Sequence, residues 1–206
     1  MPRIPRLVVP DYPHHHTQDY EAYLEFIAAA LPKAECEVWA YCLMPNHVHF
    51  VIVPHHENSL ALLFKEAHRR YTRRINFREK WRGHLWQERF HSFVMDEQHL
   101  NATVKYVELN PVAAGLCEQP QDWRWSSVHA HLDAIDDELV SVRPMLEKFP
   151  NWADYLGGFQ STEMLRKVRK HTRTGRPLGS GNFIETLESL TGRSLKPLKP
   201  GRKPIK

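Results

Sequence analysis

An α+β fold is predicted by this sequence: an antiparallel sheet with helices packed on one face, in the ferredoxin-like manner, followed by a basic C-terminal extension. Two patterns predict the sheet and its helices. Short β-branched and aromatic runs bounded by Pro, Asn and Gly read as strands, and longer stretches with apolar residues at helical spacing read as amphipathic helices. Along residues 6–110 they alternate as strand, helix, hairpin, helix, strand, helix, the order of an antiparallel sheet with packed helices. A shift in charge near residue 160 predicts the extension.

Taken in order, Arg6-Leu7-Val8-Val9-Pro10 predicts the first strand. His14-His15-His16 then suits a polar strand or loop edge better than a metal-binding tract. A helix is expected from Asp19 as N-cap to a stop at Pro32, with Tyr20, Tyr23, Leu24, Ile27 and Leu31 on its apolar stripe. Glu37–Leu43 and His47–Val53 predict two strands joined through Met44-Pro45-Asn46 as a hairpin. Ser59 caps a second expected helix whose stripe is Leu60, Leu63, Phe64, Ala67 and Tyr71. Arg89–Met95 predicts a further strand after a loop rich in aromatic and basic residues. Asp96 then caps a third helix that ends near Asn110, because Pro111 disfavours helical geometry in the residue before it.

Trp123–Ser127 is expected to pack back on the sheet, with helical pieces over Val142–Phe149 and around Phe183–Leu190. The expected division is a catalytic domain over 1–130 and a helical, basic and partly flexible extension over 131–206.

Composition bounds the setting. The chain has 206 residues and 42% hydrophobic residues, enough for a core. No run is long and apolar enough to span a membrane, and Met1–Arg6 has no signal-like apolar stretch. Three widely spaced cysteines, Cys36, Cys42 and Cys117, fit a reduced, cytoplasmic compartment. Residues 161–206 hold 12 of the 28 Lys/Arg and 3 of the 24 Asp/Glu, a net of +9, which leaves residues 1–160 at −5. An acidic body with a basic tail suits a polyanion partner. Lys65, Arg69, Arg70, Arg73, Arg74 and Arg78 on the second helix share their stretch with one acid, Glu66. This points to nucleic-acid backbone contact.

The chemistry centres on His47 and His49. Residues two apart on a strand face the same way, so both imidazoles stand on one side and Val48, Phe50 and Ile52 on the other. A strand end that meets water would look the same from these two residues alone. On the third helix, Tyr106 and Asn110 are four apart on one flank. If that flank faces the histidines, two imidazoles and the Asn110 amide oxygen would hold one divalent ion with open positions. Such a set suits Mg²⁺ or Mn²⁺ bound beside a phosphate oxygen. Tyr106 would then attack phosphorus, giving a phosphotyrosine and a free 3′-hydroxyl. Tyr106 taken alone reads as a half-buried aromatic.

The segments Trp39–His49 and Tyr106-Val107-Glu108-Leu109-Asn110-Pro111-Val112 closely resemble the REP-associated tyrosine transposases, relatives of the single-tyrosine transposases in the HUH endonuclease superfamily. Trp86–Phe90, Trp125-Ser126-Ser127 and Thr174–Gly179 resemble that family too. The resemblance implies an HUH endonuclease fold, His47 and His49 as metal ligands, Asn110 as the third ligand and Tyr106 as nucleophile. The implied substrate is single-stranded DNA with hairpins of the repetitive extragenic palindrome type. His16-Thr17-Gln18 runs straight into Asp19, where the family carries a longer stretch.

Together these readings lead to a transposase-type endonuclease and strand transferase, monomeric or homodimeric, with no membrane partner. Arg69, Arg70, Arg73, Arg74 and Arg89 are expected to hold phosphates, and Arg176, Arg202 and Lys203 to grip hairpin DNA from the tail. Two alternatives stay open: a DNA-binding protein that does not cleave, and a metal hydrolase that activates water.

Overall fold

A computed structural model describes residues 3–8, 16–87, 89–159 and 161–196. Four strands among them form one antiparallel sheet: β1 (Arg3–Val8), β2 (Cys36–Met44), β3 (His47–Pro54) and β4 (His91–Val94), in the order β2-β3-β1-β4. The central place of β1 is the ferredoxin-like arrangement. Pro45 and Asn46 alone join β2 to β3, with Met44 opposite His47. β1 starts earlier than the expected strand, and Val9, Pro10, His14 and His15 lie outside the described residues.

The helices are α1 (Thr17–Ala34), α2 (Ser59–Glu79), α3 (Glu97–Glu108), α4 (Asn110–Ala113), α5 (Val128–Asp133), α6 (Arg143–Leu146), α7 (Trp152–Gly157), α8 (Thr162–Thr174) and α9 (Gly181–Thr191). On one face of the sheet, Tyr23 and Ile27 of α1 and Leu63, Phe64 and Ala67 of α2 pack with Val38, Phe50 and Ile52. On the other, Leu100, Val104 and Val107 of α3 and Val168 of α8 pack with Ala40, Cys42, Val51 and Phe93. Helices therefore cover both faces, not one. β3 explains this: its alternation is apolar on both sides, and a sheet with two apolar faces needs two covers.

Local signals moved the helix ends. α1 begins at Thr17, two residues before the expected cap, and Asp19 sits in its first turn, accepting from the His16 N–H at 3.2 Å. Pro32 lies inside the last turn, and α1 continues to Ala34. Asn58, not Ser59, precedes α2 as its N-cap. Asp96 caps α3 as expected, accepting from the His99 N–H at 3.0 Å.

The chain from Trp125 onward closes both sheet edges, which would otherwise offer unpaired backbone groups. Beside β2, Leu43 N–H donates to Trp125 O at 2.8 Å and Ser127 N–H to Tyr41 O at 3.0 Å. Beyond β4, Leu178 N–H donates to Val94 O at 2.9 Å, and Asp96 N–H to Leu178 O at 3.1 Å. Gly175, at φ 65°, ends α8 in the left-handed region that glycine favours. Gly179 lies where a Cβ would stand 2.2 Å from the Phe183 ring. Residue 130 falls inside α5, and Met145, Trp152, Leu156 and Val168, all beyond it, pack in the same core as the sheet. The predicted piece Val142–Phe149 is helical only over α6, and α9 contains Phe183–Leu190. α8, not predicted, sets Met164, Leu165, Val168 and Thr172 along one side of an otherwise charged run.

One buried group makes stability depend on pH. His68 of α2 lies among Trp86, Phe64 and Tyr23, with ring centroids at 4.2, 5.2 and 6.0 Å. Burial pushes its pKa down to about 3. The unfolded chain takes up this proton near pH 6.5 and the folded chain does not. The contribution to stability is therefore complete above about pH 6.5 and lost as pH falls toward 3. Denaturant unfolding should show roughly 3 kcal/mol lost from this group between pH 7 and pH 4, at about 1.4 kcal/mol per unit below pH 6.5. His68→Phe should flatten the pH dependence by that amount; an unchanged slope would refute the assignment.

Candidate active site

The β3 alternation puts His47 and His49 on the face that α3 covers. Their ring centroids are 4.8 Å apart with the planes 86° to one another. His49 is 1% exposed and opposite Cys42, whereas His47 is half-buried at the hairpin end. Asn46 Oδ1 lies 2.7 Å from His47 Nδ1. Because that oxygen only accepts, the neutral imidazole carries its proton on Nδ1, and Nε2 is its metal-competent nitrogen.

Tyr106 projects from the flank of α3 toward this pair. Its ring centroid is 5.7 Å from that of His49, with the planes at 71°. The phenol is half-buried, at the margin of the α3 core cluster. The structure thus brings His47, His49 and Tyr106 together, the placement expected if the Tyr106 flank faces the histidines. Asn110 follows Tyr106 by four residues but sits in a separate helical turn. Pro111 has no N–H to carry the helix ladder on, so α3 ends at Glu108 and Asn110 opens α4. Asn110 is 8% exposed, and its amide nitrogen is buried without a hydrogen-bond partner. No hydrogen bond among the described residues joins it to either histidine.

No group of three or more His, Cys, Asp or Glu side chains that could hold a metal occurs among the described residues. Any ion here would rest on two imidazoles and at most a neutral amide, with the remaining positions left to water or substrate. That donor set fits a divalent ion held jointly with a phosphodiester.

The predicted phosphate-binding cations divide between the two faces. α2 lies across the sheet from Tyr106, and several of its arginines are engaged. Arg69 pairs with Glu66 at 2.9 Å, and Arg70 lies 4.4 Å from the centre of the Phe26 ring. Arg78 reaches Asp19 at 2.5 Å and Arg74 reaches it at 3.9 Å; Asp19 is fully buried. Arg69, Arg70, Arg73 and Arg74 line one open groove with Phe26 and Phe77. Arg89 is exposed ahead of β4, and Arg176 is exposed near the β4 edge. Arg202 and Lys203 lie outside the described residues.

Sequence reasoning missed two features on the Tyr106 face. The first is α8, which packs on α3, β4 and β1 and exposes Arg166, Lys167, Arg169, Lys170 and Arg173. Of these, Lys167 alone has an ion pair among the described residues, with Glu163 at 2.9 Å. The second is a sealed polar cluster around Glu108, which is fully buried. The signal available was an acid between Val107 and Leu109 in an otherwise apolar run.

A family model described as transposase IS200-like matches residues 7–110, a span that includes the predicted nucleophile and the three predicted metal ligands. A solved structure of a REP-associated tyrosine transposase bound to a REP hairpin is similar in fold, with a TM-score of 0.57 and 18% identity, over 68% of this chain and 84% of that one. A putative transposase from Deinococcus radiodurans R1 matches at a TM-score of 0.39 and 17% identity, over 52% of this chain and 88% of that one. No curated protein matches. Among the described residues no helix is long and apolar enough to cross a membrane.

Proposed function

This chain belongs to the IS200-like transposase family, and we propose that it cuts and rejoins single-stranded DNA carrying REP-like hairpins through a covalent 5′-phosphotyrosine at Tyr106. The observation that carries this reading is the Tyr106 ring 5.7 Å from the buried His49, itself 4.8 Å from His47. A phenol on a half-buried helix flank, packed at the core margin and beside two imidazoles, suits phosphoryl transfer.

In the step proposed, the Tyr106 oxygen bonds to phosphorus and the bond from phosphorus to the 3′ oxygen breaks. The phenol proton leaves through the solvent-facing side of the ring, and the departing 3′ oxygen takes up a proton. The phosphotyrosine conserves the bond's energy, so a second strand's 3′-hydroxyl reverses the step and joins DNA without a nucleotide cofactor. His47, His49 and Asn110 would hold Mg²⁺ or Mn²⁺, which when bound supplies charge neutralisation at the phosphodiester. The solvated cations of α8 lie on the same face and suit the phosphates that flank the scissile one. The α2 groove, with Arg73 and the aromatic Phe77, suits DNA passing round to the opposite face. Three cysteines with no disulfide fit a reduced, cytoplasmic setting.

Labelled single-stranded oligonucleotide bearing a REP-like hairpin, incubated with the protein and Mn²⁺ and run on a denaturing gel, should yield a DNA–protein adduct that survives boiling. Hairpin binding without cleavage or adduct would instead support a DNA-binding protein that does not cleave, a reading favoured by the acid-poor donor set. Cleavage without an adduct would point to activated water.

A further inference from the structure

We infer that Glu108 is a positioning residue for Tyr106, held by side chains of the segment 127–152; the inference rests on the proposed role of Tyr106. Glu108 is fully buried, and its carboxylate has three side-chain neighbours from distant segments. Ser127 Oγ donates to Oε1 at 2.5 Å, His131 Nδ1 lies 2.7 Å from the same oxygen, and Trp152 Nε1 donates to Oε2 at 2.8 Å. Ser127 Oγ also accepts from the Tyr41 N–H of β2 at 3.0 Å. The His131 ring stacks on Trp152 at 4.0 Å and 13°. The carboxylate therefore ties α3 to β2, to the Trp-Ser-Ser segment, to α5 and to α7.

Helical geometry makes this tie act on Tyr106. At about 100° per residue, Glu108 points some 200° round the axis from Tyr106, toward the opposite flank. A clamp on one flank, with Leu100, Val104 and Val107 packed on the sheet between, sets the rotation of α3 about its own axis. That rotation decides whether the phenol meets His49. A second anchor adjoins it: Lys105, 5% exposed, donates through Nζ to Tyr155 O at 2.8 Å and to Gly158 O, at the end of α7. A packing role alone would not require charge. An apolar side chain at this position would leave the buried Ser127, His131 and Trp152 groups without their shared acceptor.

The test uses the full chain in graded variants. Trp152→Phe removes one donor and keeps the stacked ring, Ser127→Ala removes another, and Glu108→Gln replaces an acceptor oxygen with a donor. Adduct formation on the hairpin oligonucleotide with Mn²⁺ should lose up to about 100-fold in kcat for Glu108→Gln, the scale of a misplacement near 1 Å. Trp152→Phe and Ser127→Ala should lose less, with KM and hairpin affinity unchanged throughout. Independently of activity, an aromatic NOE between the Tyr106 and His49 rings should be present in the wild type and weaken along the same series. An unchanged kcat and NOE in all three variants would overturn the inference. So would a joint fall of kcat, affinity and thermal stability. If the wild type forms no adduct, the proposed role of Tyr106 fails, and the NOE series still decides whether Glu108 sets the orientation of the ring. Should Glu108→Gln fail to fold, the other two variants carry the same comparison.

Discussion

Tyr106→Phe is expected to abolish covalent capture of DNA, by at least about 10³-fold, while hairpin affinity changes little. The substitution removes one oxygen and keeps the ring, so its contact with His49 and its place at the edge of the α3 core persist. Most binding energy in such a complex comes from phosphate contacts, which the exposed cations of α8 and α2, rather than the phenol, would supply. Gel shift of a labelled hairpin and denaturing gel of the adduct, run on the same samples, separate the two effects. Adducts formed at wild-type rate by the Phe variant would remove Tyr106 from the chemistry. Loss of binding in parallel would show that the phenol serves recognition.

The double substitution His47→Ala, His49→Ala is expected to lower Mn²⁺-dependent adduct formation by roughly 10³-fold, several kcal/mol of transition-state stabilisation. The donor set explains the size of the effect. The described residues offer no carboxylate or thiolate cluster to take over an ion, so losing both imidazoles leaves a single neutral amide. Chelation of the wild type should have the same effect, and added Mn²⁺ should restore it in the wild type alone. Mn²⁺ binding followed by electron paramagnetic resonance gives a readout apart from activity, and a circular-dichroism melt separates loss of the ion from loss of fold. A double variant that still responds to Mn²⁺ would move the ion elsewhere and leave the Tyr106 assignment standing.

Much of the candidate site is legible in local spacing. Residues two apart on a strand share a side, which places His47 with His49, and helical spacing puts Tyr106 on the flank of α3. Backbone hydrogen bonding sets both periods, so neither needs distant residues to be read. The order of strands and helices, and hence the α+β class, comes from the same local periods.

Charge was less legible, because a cation's role depends on what stands opposite it. Six basic residues on α2 read as one phosphate-binding face. In the fold Arg78 and Arg74 turn to the buried Asp19 and Arg69 to Glu66, and the helix lies across the sheet from Tyr106. α8, a short apolar stripe within a run read only as a basic tail, presents cations on the Tyr106 face. Glu108 had no readable partner, since Ser127, His131 and Trp152 lie 19, 23 and 44 residues further on.

Spacing along the chain was enough to place the two imidazoles side by side and the phenol on its helix flank, because strand and helix geometry act over a few residues. Only the folded arrangement decides that α3 covers the histidine face, that Asp19 draws in arginines of α2, and that Glu108 is clasped from behind. Those outcomes depend on buried apolar surface and buried charge finding partners far away in the chain, which no local period encodes.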